Sequence, residues 1–336
     1  MIKYLGSKRL LLPAIVAAIG EIAGARSVLD LFSGTSRVGH ALKGAGYRVI
    51  ANDHNAYAAT LARCYVQADR EDVERDATRL LGELMRVPAA PGWFTEAFAV
   101  KARYFQTKNA ARIEAIRERI RTLSLAPELE AVLLVSLMEA SDRVDSTTGV
   151  QMAYLKSWAA RAHNDLSMRL PDVLPRAANG KGEAHALDAR EAARSLSADV
   201  AYLDPPYNQH SYLGNYHVWE TLVRWDAPET FGVANKRVDV KERKSPFNRR
   251  HEMGPALAEV IDAVDARAIV LSFSDEGFVT REQIEALCAR RGRVRVIAHD
   301  HPRYVGAKIG IYNPKGEKVG KVGKLRNTEH LFVVET

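Results

Sequence analysis

The stretch Val200-Ala201-Tyr202-Leu203-Asp204-Pro205-Pro206-Tyr207-Asn208 limits most strongly what this chain can fold into. Val200 to Leu203 is a short apolar run of the kind that forms a fully buried strand. It stops at an acid followed by two prolines, whose fixed φ and missing N–H end the ladder and stiffen the turn. A rigid turn at the carboxyl end of a central strand sits where open α/β sheets bind ligands. This one offers the Asp204 carboxylate, the Pro205 carbonyl and the Tyr207 ring. Two acceptors and a stacking surface are what an exocyclic amine on a flat base requires. Taken alone, the turn reads equally as an acid-capped strand end.

Two further strand ends narrow the choice. Ser27 to Phe32 reads as a strand, and Ser33-Gly34-Thr35-Ser36 turns it into a helix through Val38, Gly39, Ala41 and Leu42. Gly34 permits close backbone approach to a ligand, and Gly39 lets the helix pack near the strand. The turn is neither G-x-G-x-x-G nor a phosphate loop, since His40 stands where the latter needs lysine. That speaks against nicotinamide and nucleoside triphosphate ligands. A second strand, Arg48 to Asp53, ends in an acid 19 residues after Gly34, a spacing at which a carboxylate reaches ribose hydroxyls. A short strand over Ala184 to Leu187 ends at Asp188, which reads either as another ligand acid or as the N-cap of a helix from Ala189 to Ser195.

The remainder frames these turns. Lys3-Tyr4-Leu5-Gly6-Ser7-Lys8 precedes a helical pattern over Leu10 to Ile19, with Pro13 in its first turn. From about Glu71 to Pro175 the pattern is helical. Ile113, Ile116, Ile120 and Leu123 recur on one face, and a more apolar helix starts at Pro127. This segment is either a cap on the sheet or an inserted unit. After Tyr207 comes a stretch rich in amides and aromatics that includes Tyr212. Lys236 to Arg250 carries seven basic residues against two acids. Ala268 to Ser274 and Arg293 to His299 read as strands, with a Thr280/Gln283 capping box between them. Residues 304–336 read as a long hairpin returning over Asn327 to Val334, and its tip from Gly306 to Lys324 has five glycines and five lysines. Each basic segment is either solvated surface or a phosphate contact.

A net charge of +7 and a pI near 9.3 favour a polyanionic partner. The two cysteines, Cys64 and Cys288, match no metal or redox spacing, and no run resembles a membrane span or secretory leader. The expectation is a cytoplasmic protein that uses no metal.

With Lys3 to Lys8, Asp30-Leu31-Phe32-Ser33-Gly34 and Gly39, Asp204 to Tyr207, and then Tyr212, Asn215-Tyr216-His217 and Trp219-Glu220-Thr221 in this order, the sequence resembles the Dam-like (alpha-group) N6-adenine-specific DNA methyltransferases. The resemblance implies an α/β fold: a seven-stranded Rossmann-like methyltransferase sheet with a C-terminal β-hairpin and an inserted, mainly helical recognition domain. It divides the chain into 1–75 (cofactor half), 76–175 (DNA-recognition insertion) and 176–336 (catalytic half). It implies S-adenosylmethionine as cofactor, bound by Tyr4, Gly6, Ser7, Lys8, Asp30, Phe32, Ser33, Gly34, Thr35, Asp53, Asp188 and Asp204. Asp204, Pro205, Pro206 and Tyr207 would form the catalytic turn. Lys8, Tyr207, Asn208, Tyr212, Arg243, Lys244, Arg249, Arg250, Lys308 and Lys315 would face double-stranded DNA in the nucleoid, with or without a cognate restriction endonuclease. Three alternatives stay open: a cytosine-N4 enzyme (though that group usually has Ser in place of Asp204), an RNA base methyltransferase, and a DNA-binding relative without turnover. The DNA word and the oligomeric state are not legible.

Overall fold

The computed structural model describes residues 1–6, 8–302 and 326–335. Its main sheet has seven strands: β1 (Ser27–Asp30), β2 (Arg48–Asn52), β3 (Glu183–His185), β4 (Val200–Leu203), β5 (Ala268–Ser274), β6 (Arg293–Pro302) and β7 (Arg326–Glu335). They lie in the order β3-β2-β1-β4-β5-β7-β6. β1 to β5 are mutually parallel, and β7 runs antiparallel between β5 and β6. Strand order reverses between β1 and β4, so a crevice opens beyond their carboxyl ends.

The strand period of two sorts the apolar side chains onto two covered faces. Val28, Val200, Tyr202, Val270, Leu331 and Val333 pack with Ile15 and Ile19 of the helix Leu12–Gly20. Leu29, Ala201, Leu203, Ile269, Leu271 and Phe332 pack with Leu257, Val260 and Ile261 of the helix Met253–Ala263. The same alternation carries Asp30, Asp204 and Glu329 onto the first face, each two positions from Val28, Tyr202 and Leu331. Because β7 is antiparallel, its beginning lies at the carboxyl ends of the parallel strands. That brings Glu329, opposite Ser274 in β5, to the crevice.

A separate helical core joins Ala56–Ala62, Arg70–Leu84, Thr107–Arg121 and Pro127–Asp142 with Val218, Trp219 and Leu222 of the helix His217–Arg224. Its members come from all three expected segments of the chain. The helical pattern holds as far as Asp142. Beyond it the chain is irregular up to β3 except for a short turn at Ala160–His163. Here polar side chains replace the helical ladder: Asp145 accepts from Arg161 at 2.7 Å, and Thr147 Oγ1 accepts from the Gly149 N–H at 3.0 Å.

Three local expectations are refined. β3 ends at His185 rather than Leu187, because the Leu187 N–H donates to Asn52 Oδ1 at 3.0 Å instead of continuing the ladder. The Thr280/Gln283 capping box is present in both directions. β6 and β7 form the C-terminal antiparallel hairpin, while its tip, with Lys308 and Lys315, lies outside the described residues, as does Ser7. Gly39 does let the helix Arg37–Gly44 lie close to the sheet: a Cβ there would stand 3.2 Å from Asp30 Oδ2 of β1 and 3.5 Å from Val49 Cγ1 of β2, and 2.8 Å from Val66 Cγ2 of the neighbouring helical turn. Among the described residues no helix is long and apolar enough to cross a membrane.

Candidate active site

A cleft of about 970 Å³, open mouth included, lies at the β1/β4 reversal. The turns after β1, β2, β3 and β4 each supply part of its wall, and the N-terminal segment closes one side. Most of the expected cofactor residues converge there: Tyr4, Gly6, Lys8, Asp30, Phe32, Ser33, Gly34, Thr35, Asp53, Asp188 and Asp204 all line it. Pro206, Tyr212 and Arg243 line it too.

The turn after β1 is shaped by left-handed residues, Gly34 at φ +50° and Ser36 at φ 57°. A Cβ on Gly34 would meet the Tyr4 ring at 3.4 Å. Tyr4 is itself held between two rings, stacked on Tyr212 at 5.1 Å and on Tyr216 at 4.6 Å. The Leu5 N–H donates to Tyr216 Oη at 2.6 Å. Thus the N-terminal motif and the segment beyond the Asp204 turn are fastened together over the glycine turn. From below, Asp53 Oδ2 accepts from the Gly34 N–H at 3.1 Å, and Oδ1 accepts from the Asn55 N–H at 2.9 Å.

Among the described residues, Ser33 Oγ and Asn55 Oδ1 are buried polar atoms of the wall with no hydrogen-bond partner. Unsatisfied buried groups are rare unless a ligand or water completes them. Phe32 and Phe247, edge to face at 5.1 Å, and Leu187 add apolar wall suited to a flat heterocycle. These residues fit a nucleoside-bearing cofactor. Asp188 caps the helix Ala189–Ser195 by accepting from the Arg190 N–H at 3.0 Å, and it also lines the cleft.

At the Asp204 end of the cleft, Lys8 Nζ stands 3.1 Å from Asp204 Oδ1 and 3.2 Å from Glu329 Oε2. Burial works against the ammonium charge, but the two carboxylates outweigh it and hold Lys8 protonated well above the ordinary lysine range. Burial raises Asp204 to about 6, with Lys8 opposing the rise and Glu329 adding to it. Asp30 is raised to about 7 by burial and by the charge of Asp204, while Oδ2 accepts from the Gly39 N–H at 3.1 Å. Tyr207 is pushed up to about 12, chiefly by burial, and its ring meets Phe273 edge-on at 6.0 Å.

The Asp30 shift predicts a pH-dependent stability. The folded protein binds this proton more tightly than the unfolded chain. The stabilisation is therefore full below the ordinary carboxylate range, about pH 4, and is lost as pH rises through about 7. Asp30→Asn keeps an oxygen for the Gly39 N–H and removes the charge. In urea titrations it should be more stable than the parent at pH 8, on the order of 1 kcal/mol or more, and nearly equal at about pH 4. An equal difference at both pH values would show that Asp30 does not carry the shift.

The expected DNA-facing residues divide. Lys244, Arg249 and Arg250 are exposed beside Ser245, Phe247 and Asn248 of the cleft wall. Arg249 pairs with Glu252 at 2.7 Å, and Arg250 covers the Phe278 ring at 4.9 Å. Arg243 turns inward instead, pairing at 2.9 Å with the fully buried Glu220, whose other oxygen accepts from the Tyr57 N–H. Asn208 Oδ1 accepts from the His210 N–H at 3.0 Å, and its carbonyl accepts from Asn248 Nδ2 at 2.8 Å. The sequence reading did not single out Glu329, nor Arg37, which lines the cleft with its Nε buried and unpartnered. Arg37 had a signal, since it follows the glycine turn directly. Glu329 had only the two-residue alternation with Leu331 and Val333.

Sheet order, antiparallel hairpin and acid-headed turn together define a Rossmann-like methyltransferase fold. A family profile for the D12 class N6 adenine-specific DNA methyltransferases matches residues 4–287, and the chain belongs to this family. It is 31% identical over 315 residues to the type II methyltransferase M.FokI of Planomicrobium okeanokoites, covering 86% of this chain and 47% of that protein. Against M.NlaIII of Neisseria lactamica the identity is 28% over 324 residues, covering 93% and 95%. Against the modification methylase StsI of Streptococcus sanguinis it is 29% over 298 residues, covering 84% and 45%. The chain thus spans about half the length of the FokI and StsI proteins and nearly all of M.NlaIII.

Proposed function

We propose that this chain methylates the N6 amine of a flipped-out adenine in double-stranded DNA, with S-adenosylmethionine as donor and S-adenosylhomocysteine as product. The observation that carries this is the placing of Asp204 at one end of a cleft whose wall also holds Asp53 and the Gly34 turn. Asp53, Asp188, Ser33 and Asn55 are assigned to the cofactor's ribose, adenine and methionine groups. When bound, S-adenosylmethionine supplies a methyl group on a positively charged sulfur, an already activated donor. The chain has then to orient and desolvate. Asp204 and the Pro205 carbonyl accept hydrogen bonds from the two amine N–H groups and so turn the nitrogen lone pair toward the methyl; the N–C bond forms as the S–C bond breaks, and the nitrogen then gives up one proton, by way of Asp204, to solvent. Pro206 keeps the turn rigid, and Tyr207 stacks on the base, offsetting the few kcal/mol that extrusion costs. Lys244, Arg249 and Arg250 are assigned to phosphates at the rim, and the setting is the cytoplasmic nucleoid. Because M.FokI and M.NlaIII carry type II names, a cognate restriction endonuclease is the natural partner to seek.

Expression in a methylation-free host followed by base-resolved sequencing should reveal N6-methyladenine in one short recurring word. Purified protein should move labelled methyl groups to duplex DNA in preference to RNA. Label found on cytosine, on RNA alone, or on nothing despite cofactor binding would reject this reading in favour of the cytosine-N4, RNA or non-catalytic alternative respectively.

A further inference from the structure

We propose that Glu329 is a positioning residue for methyl transfer: it shares Lys8 with Asp204, and so keeps one oxygen of Asp204 free to accept from the target amine. The inference rests on the reading of Asp204 as the amine acceptor and adds a group from the far end of the chain. Lys8 is only 7% exposed and meets both carboxylates, Asp204 Oδ1 at 3.1 Å and Glu329 Oε2 at 3.2 Å. Among the described residues, Lys8 is the one polar side chain that reaches the Asp204 carboxylate.

An ammonium with a single buried carboxylate for partner draws that carboxylate into a close pair and weakens it as an acceptor for anything else. With two carboxylates at nearly equal distance, the lysine is divided between them. The cluster as a whole keeps one negative charge, facing the place where an amine must be held. Glu329 is fixed for this task by its backbone. It lies in a strand paired on both sides, opposite Ser274 and His299, so its backbone is held in place whatever Lys8 does. Lys8, by contrast, stands on the N-terminal segment. The glutamate therefore holds the lysine, and the lysine holds the aspartate.

Other charged and titratable groups face Asp204 as well. Asp30 stands at the end of β1, Tyr202 within β4, Tyr207 on its own turn and Tyr212 on the following segment. Tyr202, Tyr207 and Tyr212 are raised above the ordinary phenol range, so they stay neutral around neutral pH. Asp30, raised to about 7, contributes like-charge repulsion that is the same in both proteins compared below. Removing the negative charge of Glu329 lowers the proton affinity of Asp204 in two ways of the same sign: a like charge is lost, and Lys8 is released to pair with Asp204 alone.

The test is Glu329→Gln, nearly isosteric, assayed on adenine-containing duplex across pH. The turnover number should fall about tenfold, with KM for S-adenosylmethionine unchanged. The acid limb of the profile should move down by about one pH unit. Adding Lys8→Met to Glu329→Gln should move that limb back up, because Asp204 then has neither partner; a purely structural glutamate would give no downward step for it to reverse. Carboxyl ¹³C NMR of Asp204, in protein without DNA, should report the same downward and upward steps in its titration. That readout does not require turnover, so it decides the role of Glu329 even if the parent protein proves not to methylate adenine. An Asp204 titration and an acid limb that stay in place in Glu329→Gln would overturn the proposal.

Discussion

Asp204→Ala should lower methyl transfer by about 10³-fold, the scale seen when one preorganised hydrogen-bonding group is removed from a reacting centre. The protein should nevertheless fold and bind S-adenosylmethionine. Removing one member of a buried ion pair is usually costly because the other is stranded. Here Lys8 keeps Glu329 at 3.2 Å, so no unpaired buried charge results. Asp204→Asn should fare little better than alanine. Its amide retains one acceptor but places N–H donors where the amine already brings donors of its own. In the parent, Asp204 must be ionised to accept, and its pKa is raised to about 6. Turnover should therefore hold above that value and fall as pH drops through it. A single-turnover assay with labelled cofactor, paired with calorimetry for cofactor binding, separates the two effects. Near-normal transfer by Asp204→Ala would remove this turn from the catalytic centre.

What the sequence disclosed follows from which interactions are local. The strand–turn units around Gly34, Asp53, Asp188 and Asp204 are each written within a few residues, because an apolar run followed by an acid, a glycine or a proline states both the strand and its end. The Thr280/Gln283 box is local in the same way. Gly39 was readable because a missing side chain marks close approach, here to Val66 Cγ2. What escaped depends on register across distant strands. Lys8 and Glu329 are 321 positions apart and meet only because β7 returns antiparallel beside β5. Nothing in Asn327-Thr328-Glu329 distinguishes that acid from ordinary strand surface. The inward pairing of Arg243 was hidden for a related reason. Its place in a basic segment put it among the residues expected to face DNA, while its partner Glu220 lies on a helix whose inward face is visible only once the helical core is assembled. The Tyr212–Tyr4–Tyr216 stack was half visible, since the motifs were noted separately and their pairing was not.

Asp53→Ala should weaken S-adenosylmethionine binding by about 1.5–3 kcal/mol, the contribution of hydrogen bonds to a charged acceptor, or roughly 10- to 150-fold in Kd. The structure gives Asp53 a second duty, because its carboxylate already accepts from the Gly34 and Asn55 N–H groups. Its removal would therefore both delete a ribose contact and loosen the turn beneath the cofactor. Asp53→Asn divides these duties. The amide oxygen can still accept from the Gly34 N–H, while its nitrogen can accept neither from the Asn55 N–H nor from a hydroxyl. If ribose contact is the main effect, Asp53→Asn should lose most of what alanine loses. It should also bind the 2′-deoxyribose and ribose forms of S-adenosylhomocysteine with nearly equal affinity, whereas the parent should prefer the ribose form. If Asp53 serves only the turn, Asp53→Asn should keep the parent's preference between the two ligands, with any loss of affinity equal for both because it comes from the Asn55 N–H alone. Calorimetry on the three proteins with the two ligands decides between these outcomes. Unchanged affinity in a folded Asp53→Ala protein would place the ribose elsewhere in the cleft, with the unpartnered Asn55 Oδ1 the next acceptor to test.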